Sequence, residues 1–136
     1  MDKLFVDTNI VIDLLQKREE FFEEAQELFT LADQKKIKLS ISSLTMANTH
    51  FLLSRHYNSN EARKILSKFK VLVEVLALDD KIIELALASD MKDFEDAIQF
   101  YTAIENNAHM IITRNKKDFQ KQNIPILTAR EYLNRK

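Results

Sequence analysis

Between residues 3 and 15 the chain changes its hydrophobic period. Leu4, Phe5 and Val6 form a short apolar run suited to a buried strand, and after Asp7 the apolar positions Ile10, Val11, Ile12, Leu14 and Leu15 follow helical spacing. The same reading predicts an amphipathic helix over 19–35, a strand on Ile37, Leu39 and Ile41, and a helix over 44–57. It continues with a helix over 60–69, a buried strand over 71–78 and a helix over 81–89. A long helix over 90–107, with Phe94, Ala97, Ile98, Tyr101, Thr102 and Ile104 as core positions, leads to a strand on Met110, Ile111 and Ile112. A short helix over 115–121, a strand over 124–127 holding the only proline, Pro125, and a helix over 129–133 complete the order.

That order, β-α-α-β-α-α-β-α-α-β-α-β-α, predicts an α/β fold: a three-layer α/β/α sandwich around a mostly parallel five-stranded sheet. Residues 1–136 read as a single domain, and 46% hydrophobic residues suffice for its core. Thr8 and Asn9 carry oxygens suited to capping the first helix, Ser42 or Ser43 suits the third, and Asp79 or Asp80 suits the helix over 81–89. Asp7 reads equally as a helix cap or as a chemical group, because the carboxyl end of a first strand is where open α/β sheets place ligand chemistry.

Composition removes several chemistries. There is no cysteine, hence no disulfide, thiolate nucleophile or cysteine zinc site. There is no glycine either, against an average of about 7%, so glycine-rich phosphate cradles are absent. Helix ends must then find other residues for left-handed positions, and Asn58, Asn60, Asn106 and Asn107 are the expected ones. The net charge of -1 gives no global basic field for nucleic acid. No basic start with a long apolar core and no membrane-spanning apolar run is found, so a cytoplasmic protein without membrane contact is expected.

The acidic residues concentrate. Asp90, Asp93, Glu95 and Asp96 crowd the start of the long helix, with Asp93 and Asp96 three apart and Gln99 a turn further on. The helix dipole and capping account for one or two such acids, not four. After the strand on 110–112 comes Thr113-Arg114-Asn115-Lys116-Lys117-Asp118-Phe119, where Asn115 either caps a turn or joins Asp118 in a site. In a parallel sheet Asp7, Asp93, Asp96, Asn115 and Asp118 gather at one edge. Clustered carboxylates repel unless a cation compensates, and an all-oxygen set selects a hard cation, Mg²⁺ or Mn²⁺. Such ions activate water and stabilise phosphoryl displacement.

The segments F-V-D-T-N, D-F-E-D-A-I-Q and I-I-T-R-N-K-K-D-F, in this order, resemble the PIN domain, a small metal-dependent nuclease domain, from Leu4 to about Leu127. Small bacterial members resemble VapC-type toxins, ribonucleases neutralised by an antitoxin. The resemblance implies Asp7, Asp96 and Asp118 as catalytic, metal-binding acids, with Asn115 beside them and Thr8 or Asn9 near the site; Asp93, Asn48 and Thr113 are expected as further supporting residues. It implies an RNA substrate, an antitoxin partner and a homodimer. In one place the chain departs from the family, which has a glutamate early in the helix after the second strand, where I-S-S-L-T-M-A-N puts Asn48. An amide ligates through its oxygen without charge, so either affinity falls or a neighbour such as Asp93 supplies the carboxylate.

Arg114, Lys116 and Lys117 flank the acids and are the expected contacts to a nucleic-acid backbone. His50, His56 and His109 lack zinc spacing, and the pairs Phe21/Phe22 and Phe100/Tyr101 read as core or as a dimer face. Two rival classes remain. A phosphoacceptor receiver domain would need adjacent acids after the first strand, where Asp7 is followed by Thr8. A PIN-like module that binds RNA or protein without cleaving differs in whether three carboxylates and a cation converge.

Overall fold

Leu4 and Val6 point to one side of a strand and Phe5 to the other, and all three are fully buried, so the first strand is covered on both faces. The computed structural model describes residues 1–119 and 123–135. Its elements are β1 (Lys3–Val6), α1 (Thr8–Leu15), α2 (Phe22–Asp33), β2 (Lys38–Ser42), α3 (Ser43–Ser54), α4 (Ser59–Phe69), β3 (Glu74–Leu76), α5 (Asp80–Ala88), α6 (Phe94–Glu105), β4 (Met110–Ile112), β5 (Ile126–Leu127) and α7 (Ala129–Leu133).

The five strands run in the order β3-β2-β1-β4-β5, and every pairing is parallel. One core joins Leu4, Val6, Ile41 and Ile112 to Leu28 and Phe29 of α2, Leu53 of α3, Leu66 of α4 and Tyr132 of α7. A second core, on the opposite face, joins Phe5 and Ile111 to Phe100 and Ala103 of α6, and a third packs α5 on α6 through Ile82, Ala86, Ala97 and Ile98. This is the expected α/β/α sandwich. Burying a Phe5-sized side chain contributes about 2–3 kcal/mol, which explains why each face carries such residues.

Several boundaries differ from the sequence reading. The helix expected over 19–35 begins only at Phe22, because residues before it form a turn in which the Phe21 and Phe22 amides both donate to the Arg18 carbonyl. The strand expected over 71–78 shrinks to Glu74–Leu76, preceded by a 3-10 turn at Lys70–Leu72 that leaves Val71 83% exposed. The helix expected over 90–107 starts at Phe94, which is exposed rather than core. The short helix expected over 115–121 is a 3-10 turn at Lys116–Phe119, and its last two expected residues lie outside the described ones. The strand expected over 124–127 is paired only at Ile126–Leu127, with the Pro125 carbonyl accepting from the Ile111 amide at 3.0 Å.

Helix ends resolve the missing glycine in an unexpected way. The left-handed residues are Lys17 (φ 48°), Lys35 (φ 62°) and Asn107 (φ 59°). In each case the next amide reaches back across the last turn, as from Lys36 to the Leu31 carbonyl at 2.9 Å. Asn107 fits the expectation, whereas Asn58 caps the start of α4 by accepting from the Glu61 amide.

Candidate active site

The parallel order places β2 on one side of β1 and β4 on the other, so the chain reverses direction across the sheet between β1 and β4. Crevices at the carboxyl ends of such strands are the usual ligand sites of open α/β sheets. Register pairs Val6 with Ile112, which sets Asp7 beside Thr113 immediately beyond the strands. The Asp7 amide donates to the Ile112 carbonyl at 2.9 Å, and the Thr113 hydroxyl donates to Asp7 Oδ2 at 2.8 Å.

Asp7 meets the capping reading of its sequence position and also reaches a cleft. It is the N-cap of α1, its Oδ1 accepting from the Thr8 amide at 2.8 Å, so Thr8 and Asn9 are helical residues rather than caps. It also lines a cleft of about 450 Å³ together with Asp96, Asp118 and Glu95. Burial raises the affinity of the Asp7 carboxylate for a proton, opposed by bonds from Thr113, Thr8 and Gln99, and the Asp118 charge adds to the rise. Asp96 is pushed up to about 7, first by burial and then by the charges of Asp93, Asp118, Asp7 and Glu95.

The remaining expected residues divide. Thr8, Asn9, Asn48 and Asn115 line the same cleft. Thr113 stands behind it, bonded to Asp7 and accepting from the Asn115 amide at 3.1 Å. Asp93 does not belong to the lining: its spacing of three from Asp96 is a capping geometry, with Asp93 Oδ1 accepting from the Asp96 amide at 2.9 Å. The carboxylate that meets Asn48 is instead Glu95, whose Oε1 accepts from Asn48 Nδ2 at 3.1 Å.

The expected basic residues are largely engaged elsewhere. Arg114 Nε donates to the buried Asp13 at 2.8 Å, and its guanidinium lies 4.1 Å from the centre of the Phe21 ring. Lys116 contacts both carboxylate oxygens of Glu131 at 3.0 Å. Lys117 is exposed outside the cleft lining. The cation that does line the cleft is Arg18, which the sequence reading passed over.

Gln99 is the other residue the sequence reading undervalued. It is buried, its Nε2 lies 2.8 Å from Thr45 Oγ1, 3.1 Å from Thr8 Oγ1 and 3.3 Å from Asp7 Oδ1, and its Oε1 accepts from the Ser42 hydroxyl. This network ties α6 to β2, α3 and α1 around Asp7. The available signal was a glutamine on the apolar stripe of a helix, where a buried amide requires partners.

The donor set fits a hard divalent cation. It consists of oxygens, its acids raise one another's proton affinity, and Asn9, which lines the cleft, has its buried Oδ1 without a hydrogen-bond partner. Among the described residues, no three histidine, aspartate or glutamate side chains are already drawn together as a ligand cage.

Comparison with known proteins shows which chains share this sequence pattern and fold. The profile of the PIN domain (PIN_3) matches residues 3–117. Ribonuclease VapC1 of Aquifex aeolicus (strain VF5) is 27% identical over 142 residues, covering 98% of this chain and 95% of the relative. A toxin-antitoxin complex from Klebsiella pneumoniae contains a chain of similar fold, with TM-score 0.69, 25% identity, and coverage of 93% of this chain and 97% of that one. VapC20 of Mycobacterium tuberculosis, a toxin that cleaves the sarcin-ricin loop, shares the fold with TM-score 0.62 and 20% identity over 79% of this chain and 86% of its own.

Proposed function

This chain belongs to the PIN domain family, and from that we propose that it is a divalent-metal-dependent endoribonuclease of the toxin type, with residues 1–136 forming one such domain. The observation that carries the reading is the gathering of Asp7, Asp96 and Asp118 in one cleft at the point where the sheet reverses, where burial first and the neighbouring carboxylates second push Asp96 up to about 7. So strained an acidic cluster gains stability from a cation. Asp7, Asp96 and Asp118, with Glu95, would hold Mg²⁺ or Mn²⁺, and the bound ion would supply charge for phosphoryl displacement and a more acidic water.

The chain's own residues do the rest. Thr113 and Gln99 donate to the two oxygens of Asp7 and fix its orientation. Asn48 holds Glu95 by a hydrogen bond, so the neutral residue on α3 positions a carboxylate from α6 in place of supplying one. Asn9 and Asn115 also line the cleft and carry further side-chain oxygens. A named relative of similar fold comes from a toxin-antitoxin complex, which supports an antitoxin partner; a homodimer and a cytoplasmic setting belong to the same proposal. No helix among the described residues is long and apolar enough to cross a membrane.

The test is cleavage of RNA by purified protein with Mn²⁺ or Mg²⁺, against EDTA and Asp7→Asn. We expect loss of cleavage in both controls. Equal cleavage by wild type and Asp7→Asn would sink the assignment, and RNA binding without cleavage by either would favour a non-catalytic binding module.

A further inference from the structure

Helix α3 enters the cleft with Asn48 and continues outward through Phe51 to Arg55, at successive steps of three and four residues, so these three side chains form one row. Asn48 bonds Glu95 at the acids, and Phe51 and Leu52 line the cleft beside it. Phe51 is 63% exposed, and it is the one large side chain that α3 presents to solvent, since only Ala47 is otherwise exposed on that helix. The Arg55 guanidinium lies 5.8 Å from the centre of the Phe51 ring. Among the described residues, Arg55 pairs with no carboxylate.

We infer that Phe51 and Arg55 form a stacking platform for the nucleobase of a single-stranded RNA nucleotide bound next to the acidic cleft, with Arg55 contacting the adjoining phosphate. The inference rests on the ribonuclease reading of that cleft and names how its substrate is held. Arg114 and Lys116, the cations that sequence offered, are committed to Asp13 and Glu131, and Arg18 of the cleft lining also stands 4.0 Å from Asp13, whereas Arg55 lies over the cleft-lining Phe51 with no carboxylate partner among the described residues. An aromatic face next to a cation is the arrangement that holds unpaired bases, because every base has a π-face and every link a negative charge. A helix-docking groove needs a contiguous apolar patch, whereas Phe51 is flanked by Asn48 and Arg55.

The chain has no tryptophan, so Phe51→Trp introduces a single tryptophan into the platform, to be excited selectively over the three tyrosines. In EDTA, an unstructured RNA oligonucleotide should quench that fluorescence saturably, with the same midpoint as its own anisotropy change. A duplex RNA of equal length should not quench it. Phe51→Ala should weaken binding of the oligonucleotide about ten-fold, and Arg55→Ala should lower the salt dependence by about one released ion.

If wild type cleaves RNA but Phe51→Ala binds it as tightly and Phe51→Trp is not quenched, the platform is overturned while the ribonuclease reading stands. Quenching by an RNA that the wild type never cleaves keeps the platform and sinks the nuclease. If Phe51→Ala dissociates a dimer without weakening RNA binding, the face belongs to a second copy and the inference fails.

Discussion

Asn48 of α3 donates its side-chain amide to Glu95 of α6 at 3.1 Å, joining two helices at the mouth of the acidic cleft. Where a glutamate would place a charge on α3, the amide here secures a charge on α6. Glu95→Gln should therefore weaken Mn²⁺ binding by about ten-fold or more, measured by titration calorimetry, in line with losses seen on disturbing metal shells. Asn48→Glu should set two carboxylates against each other in the metal-free protein and lower its melting temperature, with Mn²⁺ restoring it. Unchanged Mn²⁺ affinity in Glu95→Gln would show that the two helices do not share the site.

Asp96 carries the pH dependence. Its folded value of about 7 lies above its ordinary 3.8, so the metal-free folded state holds the proton more tightly than the unfolded chain. The stability contributed by that proton is complete below about pH 4 and is lost as pH rises through about 7. In EDTA, Asp96→Asn should melt several degrees above wild type at pH 8 and close to it at pH 4. Wild-type Mn²⁺ affinity should fall about ten-fold per pH unit below 7, because the ion displaces one proton. A pH-independent affinity between 5 and 7 would contradict this.

Gln99 is the internal support of Asp7. Gln99→Leu leaves the Ser42 and Thr45 hydroxyls short of a buried partner and should cost about 2 kcal/mol in denaturant unfolding. It also removes a donor that lowers the proton affinity of Asp7. The acidic limb of Mn²⁺ binding should then move to higher pH, an effect that a purely structural lesion would not produce.

Arg114 separates a structural from a nucleic-acid role. Asp13 is 1% exposed and raised by burial in spite of its bond to Arg114. Arg114→Met should cost about 3 kcal/mol at pH 8, because it leaves a buried carboxylate with only Arg18, 4.0 Å away, as a cationic partner. The loss should shrink as pH falls and Asp13 takes up a proton. Pairing it with Asp13→Asn should recover most of the stability in a thermal melt. A large drop in RNA affinity with unchanged stability would instead return Arg114 to the substrate.

The fold was legible because its strands are short apolar runs and its helices carry clear stripes. Leu4 to Val6 and Met110 to Ile112 could hardly be read otherwise, and the parallel order followed from the alternation. The acids of the cleft were legible too, since Asp7, Asp96 and Asp118 all follow strands or start helices. What sequence could not carry was which neighbour answers which. Asp93 and Glu95 are two residues apart, and helix geometry makes the first a cap and turns the second toward Asn48. Arg114 and Lys116 read as free cations until the fold brought Asp13 and Glu131 to them from α1 and α7. Phe51 was hidden among the apolar residues of α3, because exposure is a property of the packed helix and not of the residue.

The lysines at two helix ends have a consequence for the protein's thermal margin. Lys17 and Lys35 sit in the left-handed region, which costs a residue with a side chain about 1–2 kcal/mol. Glycine would avoid that cost, offset in part by its greater freedom in the unfolded chain. Lys35→Gly and Lys17→Gly should each raise the melting temperature by a few degrees, and the first should do so without altering RNA cleavage. A chain without a single glycine thus works below the heat resistance its own backbone allows, and the headroom lies at two positions that can be named.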